Sequence, residues 1–585
     1  MPTHKKQIKK QLSKIWKIHP VRTEQAKQLS RETGISRIVA QVLLNRNITT
    51  SEEAKKFMNP KLTDLLEPNL LPGISEAVER IQRAIKAGEK ITIYGDYDAD
   101  GITSTAILWR LLTMLNTKVN FYIPHRIEEG YGLNTASIEK LAEQGTNLII
   151  TVDCGITACG EISRASELGM DVIVTDHHKI ENEIPQASAI VHPQLDMNYP
   201  SPASAGAMVA FKLAWAVCNE YKDNNDLYPK LKSFLINATK FAAVGTIADV
   251  MDLVGENRSL AHFGLKAMSS SDMPGVKALI NTARLDGKLL SSRDIAFQIA
   301  PMLNASGRLG HARLAVELLT SSSELNSLKI AQYLKQQNNE RRKIEREIFK
   351  QASQLITTGG YDHPDRKTIV VAGENWHQGV VGIVASRVAE TYFRPAIVFN
   401  NDGQTCVGSA RSVRNFDIYQ GISSCAKHLI SFGGHAGAAG LRVESKKLPD
   451  FIEAFEQHAR ENILEDEAVS MIDIEGTFEI GDFNERTIQQ IQQLSPFGQG
   501  NPVPVFAAMG VRLYNTPRIV GEKGTHLQLS IRDRSGFVRC IAFGMGNLEK
   551  KLIEADYFNV AFTAELNSFN GNSNLQFNIC DIQFE

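Results

Sequence analysis

Three things are scarce in this chain, and each scarcity removes a class of protein. Cysteine is the first. Seven cysteines in 585 residues, an odd number with no Cys-x-x-Cys pair, leave neither a disulfide framework nor a structural zinc site. The nearest two, Cys154 and Cys159, lack the spacing of a zinc finger. Long apolar runs are the second: no stretch of about 18 uninterrupted apolar residues occurs, so nothing reads as a membrane span. The third is charge of one sign. A formal net charge of −1 gives no global sign of a polyanionic partner, so any nucleic-acid surface must be local and offset by acidic faces elsewhere.

What is present is the balance of a globular protein, with 43% hydrophobic and 22% charged residues. The length suggests about three to five domains. The start, Met1 to Arg22, carries Lys5, Lys6, Lys9, Lys10, Lys14 and Lys17 but lacks the apolar core of a secretory signal. It reads as the N-terminus of a cytoplasmic protein, most simply a solvated, frayed helix, with a transit peptide or a nucleic-acid contact as alternatives.

Residues 1 to about 60 look helical, with apolar positions at helical spacing around Ile38, Val39, Val42 and Leu43. From about 75 to 250, short apolar runs alternate with helical patterns. Ile91 to Tyr94, Val119 to Ile123, Leu148 to Val152 and Val172 to Thr175 read as buried strands of a parallel, doubly wound sheet. Residues 255 to 320 are mostly helical in pattern. Glu324 to Thr357 contains no Gly or Pro, which predicts one long helix, and its polar middle, Gln336 to Glu347, suits a spacer between domains. Strands return at Thr368 to Ala372 and Ala396 to Phe399, giving a second α/β domain to about 465. The remainder alternates at period two, as in His526 to Arg532 and Leu575 to Ile582, with a turn signal at Asn570-Gly571-Asn572. That tail predicts a small β-barrel.

The chemistry lies at strand ends. Asp96, Asp98 and Asp100 follow the first strand at alternate positions, on what reads as a loop, and such like charges repel unless a cation neutralises them. Asp153 repeats the arrangement after Val152, and Asp176-His177-His178 repeats it after Thr175. Parallel strands bring these ends to one edge, where open α/β sheets build their sites. Asp249 ends an apolar helical run, a costly place for an unpartnered carboxylate. Singly, Asp98, Asp100 or Asp153 reads as readily as a helix cap, and a His-His pair is more often structural. Three successive acidic strand ends are rarely produced by chance capping. An oxygen-rich set with added imidazole suits two Mn2+ or Mg2+ ions better than zinc or copper.

In order and spacing, Asp98-x-Asp100, Asp153, the Asp176-His177-His178 triplet and Asp249 resemble the four motifs of the DHH phosphoesterases. The resemblance implies that Asp98, Asp100, Asp153, His177 and Asp249 are metal ligands with Asp153 as bridge, and that Asp96, Asp176 and His178 are supports or additional ligands. Some members carry a metal-binding His four residues before the first aspartate; here Tyr94 stands in that place, as in the RecJ branch. Pro301-Met302-Leu303-Asn304-Ala305-Ser306-Gly307-Arg308 is similar to a motif of that branch, in which the Arg reaches a substrate phosphate. His377-Gln378-Gly379, Gly408-Ser409-Ala410-Arg411 and Gly433-Gly434-His435 resemble the DHH-associated domain, where glycines admit an anion to the backbone.

By the same resemblance Ser409 and Arg411, with Arg126, contact a 5′-terminal phosphate. The tail, after Pro496-Phe497-Gly498-Gln499-Gly500-Asn501-Pro502, resembles the oligonucleotide-binding barrel of that branch. The implied architecture is multidomain α/β. It comprises an N-terminal helical segment (1–70), a DHH catalytic domain (71–255), a helical connector (256–357), a DHH-associated domain (358–465) and an OB-fold barrel (466–585). The implied activity is a 5′-to-3′ exonuclease on single-stranded DNA, acting in repair and recombination. A monomer without membrane association is expected, with a single-strand-binding protein and a helicase as candidate partners. The rivals are a nano-RNase or cyclic-dinucleotide phosphodiesterase, against which the barrel and connector argue, and a silent DHH scaffold, against which the intact acidic positions argue.

Overall fold

The computed structural model describes residues 14–584 apart from 127, 181–182, 414–415, 464–470 and 570–571. Most of the basic N-terminal segment and the Asn570-Gly571 half of the expected turn therefore lie outside the described residues. The chain forms two compact units: Met1–Pro60 with Ala468–Ser495 and Pro502–Glu585, and Lys61–Glu467 with Pro496–Asn501. Among the described residues no helix is long and apolar enough to cross a membrane.

The first described element is strand β1 (Ile15–Ile18), where helix was expected; helices α1 (Thr23–Thr33), α2 (Arg37–Asn45) and α3 (Ser51–Met58) follow. Helix α2 buries every residue from Ile38 to Leu44, and Ser36 caps it by accepting from the Val39 N–H.

The second unit begins its catalytic half with α4 (Ile74–Ala87), β2 (Lys90–Gly95), α5 (Ala99–Met114), β3 (Lys118–Tyr122), α6 (Thr135–Glu143), β4 (Leu148–Val152), α7 (Cys159–Glu167), β5 (Asp171–Thr175) and β6 (Ala189–Val191). The sheet order is β3-β2-β4-β5-β6 and every pairing is parallel. The chain leaves β2 for β3 on one side and returns to β4 on the other. The crevice of this topology therefore opens between the C-terminal ends of β2 and β4. Helices α8 (Gly206–Asn219) and α9 (Tyr228–Ala248) join α4 and α5 on one face of the sheet, packed on Ile91, Ile93, Leu148 and Ile150. Helices α6 and α7 cover the other face through Ile138, Leu141 and Ile162 against Ile149, Val172 and Val174.

Next come α10 (Gly255–Ser269), α11 (Pro274–Thr282), the single turn α12 (Ser292–Asp294) leading into a π-helical turn at Ile295–Ile299, α13 (Ala300–Arg308) and α14 (Ala312–Thr320). Glu324–Thr358 is indeed one helix, α15, of 35 residues. Its first half sets Ile330, Ala331 and Leu334 in the core of the sheet's helical layer, and its last turns set Ile348, Ala352 and Ile356 in a different core. The polar middle spans the gap between them. That second core belongs to β7 (Ile369–Glu374), α16 (Gln378–Tyr392), β8 (Ala396–Asn401), β9 (Thr405–Arg411), α17 (Ile418–Ser424), β10 (Leu429–His435), β11 (Ala438–Glu444) and α18 (Leu448–Asn462). The order here is β10-β11-β9-β8-β7, with only β7 and β8 parallel.

Pro496–Asn501 belongs to this unit, not to the barrel it precedes in sequence. The Gln499 carbonyl accepts from Leu253 N–H at 2.8 Å, the Pro496 carbonyl from Arg258, and the Phe497 carbonyl from the Ser292 hydroxyl. In the other unit, β12 (Met471–Ile474) pairs in parallel with β1, with Ile15 opposite Met471. After α19 (Glu485–Gln493) come β13 (Phe506–Leu513), β14 (Arg518–Val520), β15 (His526–Arg532), β16 (Phe537–Ala542), β17 (Phe558–Phe569) and β18 (Asn572–Phe584). Their order is β13-β17-β18-β16-β15-β14, and β13 also pairs with β15 at Arg512 and Arg532, which closes a five-stranded barrel. The rings of Phe483, Phe506, Phe562 and Phe577 fill it.

Candidate active site and metal centre

Every acidic position expected at a strand end converges on the crevice between β2 and β4. Asp98 and Asp100 do not lie on a loop, however. Asp98 caps α5, one oxygen accepting from Asp100 N–H (2.8 Å) and Gly101 N–H (3.2 Å), and Asp100 sits in the helix's first turn. A cap uses one carboxylate oxygen and leaves the other free for a second task. Asp100 is fully buried, and both its oxygens accept amides from the start of α8, Gly206 N–H at 2.7 Å and Ala207 N–H at 2.8 Å. The approach is close because two glycines face the acids. A methyl at Gly245 would lie 2.3 Å from the Asp100 oxygen, and one at Gly206 2.7 Å from the Asp153 side chain.

Asp153 holds a left-handed backbone, φ 62°, a conformation costly outside glycine and found where surrounding structure enforces it. Its N–H bonds the Thr175 carbonyl (3.0 Å), and its own carbonyl accepts from the Tyr131 hydroxyl (3.2 Å). His177 is the hub. Its Nε2 lies 3.0 Å from Asp153, 3.6 Å from Asp249 and 3.8 Å from Asp100. Ligand atoms gather in three groups, each within 4.8 Å: Asp96, Asp98 and Asp153; Asp100, His177 and Asp249; Asp153, His177 and His178. Asp153 and His177 each belong to two groups, the geometry a shared ligand requires.

The electrostatics are those of a site built around positive charge. Burial, and then the neighbouring carboxylates, push Asp96, Asp100 and Asp153 well above the usual range, and the same causes take Asp249 up to about 7. One oxygen each of Asp96 and Asp249 is buried without a hydrogen-bond partner among the described residues. A divalent cation relieves both the repulsion and the orphaned oxygens, and a set of hard oxygens with one or two nitrogens fits Mn2+ or Mg2+. Burial, reinforced by the charge on His178, lowers His177 to about 3, so at neutral pH it is an uncharged imidazole able to offer a lone pair.

Asp176 and His178 form a supporting pair. Burial alone would raise Asp176, but the 2.7 Å bond from His178 overrides it and holds the carboxyl at about 2. Burial alone would lower His178, and the same bond carries it up to about 9. The Asp176 oxygens also accept from the N–H groups of Ile156, His177 and His178, so this acid fixes the backbone and is not free to ligate. Tyr94, in the place of a histidine in some relatives of the motif, turns away: its hydroxyl bonds the Gly132 carbonyl and Ser137, both at 3.1 Å.

A cluster of guanidiniums faces the acids. Arg308 donates to the Gly379 carbonyl (2.9 Å); burial, then the nearby charges of Arg126, Arg341 and Arg411, lowers it to about 9, opposed by Asp98. Arg126 rests 4.8 Å over the Tyr97 ring and has no ion-pair partner among the described residues. Arg411 donates to the Ser409 hydroxyl (2.9 Å), and Gly382 of α16 backs onto both. In the sheet register Arg411, Ala438 and His435 stand opposite one another, as do Ser409, Gly440 and Gly433. Ser409, Arg411 and His435 therefore share a face on which two glycines leave bare backbone. Gly434 takes φ 143° at the edge of that face, and His435 Nδ1 accepts from Gly437 N–H. Asn304 and His377 are placed differently. Asn304 accepts from the Ala99 N–H at 2.6 Å, pinning the start of α5, and His377 caps α16 through Gly379 N–H. Tyr131, which also reaches His178 Nδ1 at 3.1 Å, was not anticipated; its one signal was an aromatic between two loop glycines, Gly130 and Gly132.

The DHH family N-terminal domain matches residues 90–239, the DHHA1 domain 365–461 and the RecJ OB domain 474–581. The single-stranded-DNA-specific exonuclease RecJ of Bacillus subtilis (strain 168) is 36% identical over 569 residues, 97% of this chain and 70% of that protein. The chain belongs to the RecJ family. Among solved structures, RecJ in complex with Mn2+ from Thermus thermophilus matches with a TM-score of 0.83 and 29% identity, over 98% of this chain and 80% of that one. The Mg2+ complex of RecJ from the same organism gives 0.77 and 28%, over 98% and 78%.

Proposed function

We propose that this chain is a single-stranded-DNA-specific exonuclease that hydrolyses the terminal phosphodiester from the 5′ end and releases 5′-mononucleotides, in DNA repair and recombination. The observation that carries the reading is the juxtaposition of a buried carboxylate and imidazole cluster with Arg126, Arg308 and Arg411, none of which has an ion-pair partner among the described residues. Two ions, Mn2+ or Mg2+, would be held by Asp96, Asp98 and Asp153 on one side and by Asp100, His177 and Asp249 on the other. When bound they lower the pKa of water and offset the charge that develops on the phosphate. Asp153, held in its strained conformation and 3.0 Å from His177, would be the ligand the two ions share, and His178, oriented by its bond to Asp176, stands beside them. Water attacks phosphorus, the bond to the 3′ oxygen breaks, and that oxygen takes up a proton.

Each cleavage leaves a new 5′-phosphate on the shortened strand, which re-forms the preferred end. Arg126, Arg308, Ser409 and Arg411 receive phosphate groups, with Asn304, His377, Gly434 and His435 shaping the pocket around them. The five-part division of the chain stands as a functional proposal, the barrel holding the strand and the two α/β halves cutting it. With it goes a monomeric, cytoplasmic enzyme supplied with single strands by a helicase and a single-strand-binding protein, since its substrate must first be unwound and kept open.

The test is end preference. A 5′-phosphate has a second ionisation near pH 6 and carries more charge at pH 7 than an internal diester. A charge-assisted contact is worth about 1.5 to 3 kcal/mol, so 5′-phosphorylated strands should be degraded roughly ten- to a hundredfold faster than 5′-hydroxyl strands, and Arg411→Ala should erase much of the difference. Time courses on strands labelled at either end measure both. Release from the 3′ end first, or indifference of the wild type to the 5′ group, would overturn the reading.

A further inference from the structure

One strongly basic surface of the Lys61–Glu467 unit lies outside the site described above. Asn339, Arg341, Arg342, Glu345 and Arg346 of α15 and Arg387 of α16 line an open groove of about 480 Å3. Glu345 is its single acid, accepting from Arg341 at 3.0 Å and facing Arg387 at 3.5 Å, while Arg387 also stacks on the Phe349 ring. The lining thus carries one carboxylate against four guanidiniums, and Glu345 pairs with two of them. Of the neighbouring acids of the helix, Glu340 pairs with Lys343, and Glu347 accepts from the Gln351 amide. Among the described residues neither Arg342 nor Arg346 has a carboxylate partner. Arg342 donates to the Phe297 carbonyl (3.3 Å), and Arg346 to the Arg342 carbonyl (3.2 Å).

The Arg342 contact leads to a second feature. Phe297 lies in the π-helical turn Ile295–Ile299, a geometry that recurs at functional sites, and its side chain is displayed to solvent at 66% exposure. Arg342 bonds the backbone carbonyl of this same residue, so an exposed aromatic ring and an arginine without a carboxylate partner among the described residues meet at one point of the surface. The groove also adjoins the candidate site through the fold: the π-helical turn that carries Phe297 runs directly into α13, which ends on Arg308, and Arg308 donates to the Gly379 carbonyl of α16, the helix that bears Arg387.

We infer that this groove carries the single strand beyond the nucleotide being removed, its phosphates on Arg342, Arg346 and Arg387 and one base against the Phe297 ring. The inference rests on the exonuclease reading above and extends it to a second contact surface. Arg342 and Arg346, four residues apart, are neighbours on one helix face about 6 Å apart along the axis. Each presents a planar fork suited to phosphate oxygens. An acidic peptide would satisfy the arginines but leave the phenyl ring unused, whereas every base has a face to stack on it.

The experiment compares full-length wild type, the double variant Arg342→Ala/Arg346→Ala and Phe297→Ala. Binding of a 5′-phosphorylated 20-mer is measured by anisotropy with chelator present, across a salt series, and hydrolysis of a trimer too short to reach the groove is measured with manganese. The double variant should bind the 20-mer roughly tenfold more weakly, and its salt slope should flatten by about 1.4, since each lost phosphate contact on a single strand removes about 0.7. Phe297→Ala should weaken binding about fivefold or more with the salt slope unchanged, because stacking releases no counterions. Trimer hydrolysis should stay within about twofold in both. An unchanged 20-mer affinity and slope in the double variant, or an equal loss on trimer and 20-mer, overturns the groove. So does a wild type that binds a polyglutamate peptide, loses that binding in the double variant and keeps its 20-mer affinity. Failure of the wild type to degrade any single strand would instead overturn the exonuclease reading.

Discussion

Gly206→Ala probes the candidate site without removing a single ligand. A methyl at this position would lie 2.7 Å from both Cβ and one carboxylate oxygen of Asp153 and 2.9 Å from its Cγ, where ordinary contact begins at 3.4 Å. Something must move by about 0.7 Å. The start of α8 is held by the two amides it donates to Asp100, at 2.7 and 2.8 Å, so the displacement falls on the Asp153 side chain. That side chain projects from a left-handed backbone tied to Thr175, and it has no slack to accommodate a shift without moving off the shared position. A misplacement of about 1 Å at a reacting centre costs on the order of a hundredfold in rate, and overpacking of this kind costs about 1 to 3 kcal/mol in stability. The assay is kcat on 5′-phosphorylated single strands over a manganese titration, with thermal unfolding alongside. We expect kcat to fall about a hundredfold and half-saturation to move to higher manganese. Gly160→Ala, on the exposed side of α7 with nothing within 4 Å of the added methyl, is the control and should keep full activity with up to about 1 kcal/mol of added stability. Wild-type kcat and manganese dependence in Gly206→Ala would refute the reasoning, since Asp153 would then not need the place the structure gives it.

Uptake of manganese by metal-free protein should release protons at pH 6 and fewer at pH 9, because Asp249, raised to about 7, is protonated at the lower pH and must ionise to ligate. Calorimetry in buffers of different ionisation heat measures this, and equal release at both values would contradict it. The linkage has a definite sign: a carboxyl whose folded pKa lies above its unfolded value costs the metal-free protein stability progressively from about pH 4 to about 7, so chelated protein should melt lower at pH 7.5 than at pH 5, and manganese should restore it. Tyr131→Phe removes the hydroxyl bonded to His178 and to the Asp153 carbonyl, and should lower kcat roughly three- to tenfold at unchanged KM; a change confined to KM would place the ring against substrate instead. On the barrel, Tyr514 and Phe537 stack with centroids 4.4 Å apart and both are more than half exposed, so Tyr514→Ala should weaken binding of long strands about fivefold or more and leave short oligonucleotides nearly unaffected, an outcome that equal losses on both would refute.

What was legible in the sequence follows a physical division. A residue whose placement is intolerable without a partner announces that partner. Three acids at 96, 98 and 100, another ending β4 and a fifth closing an apolar helix cannot coexist in a protein interior unless a cation joins them. Period and breakers served equally well for α15, which has no Gly or Pro, and for the alternating strands of the barrel. Roles set by what a residue meets were not legible. Asp176 stands in the motif beside His177 just as a ligand would, yet three backbone N–H groups and His178 occupy it. Asn304 stands beside a phosphate motif, and nothing local shows that its carbonyl oxygen also pins Ala99 at the start of α5. Strand β1 lay in a helical stretch because its pairing partner, Met471–Ile474, is at the other end of the chain, beyond the reach of any local period. The acidic centre itself shows both sides of the division. Its carboxylates are written locally, after consecutive strands, but the amides that fix Asp100 come from Gly206 and Ala207, and the small residues that let two acids approach are glycines of α8 and α9. A glycine in a helix interior is a cost with no visible return until the neighbouring chain is in place. Here the return is the space that brings Asp100 and Asp153 within reach of one imidazole, and that closeness, more than the number of acids, makes the cluster a candidate catalytic centre.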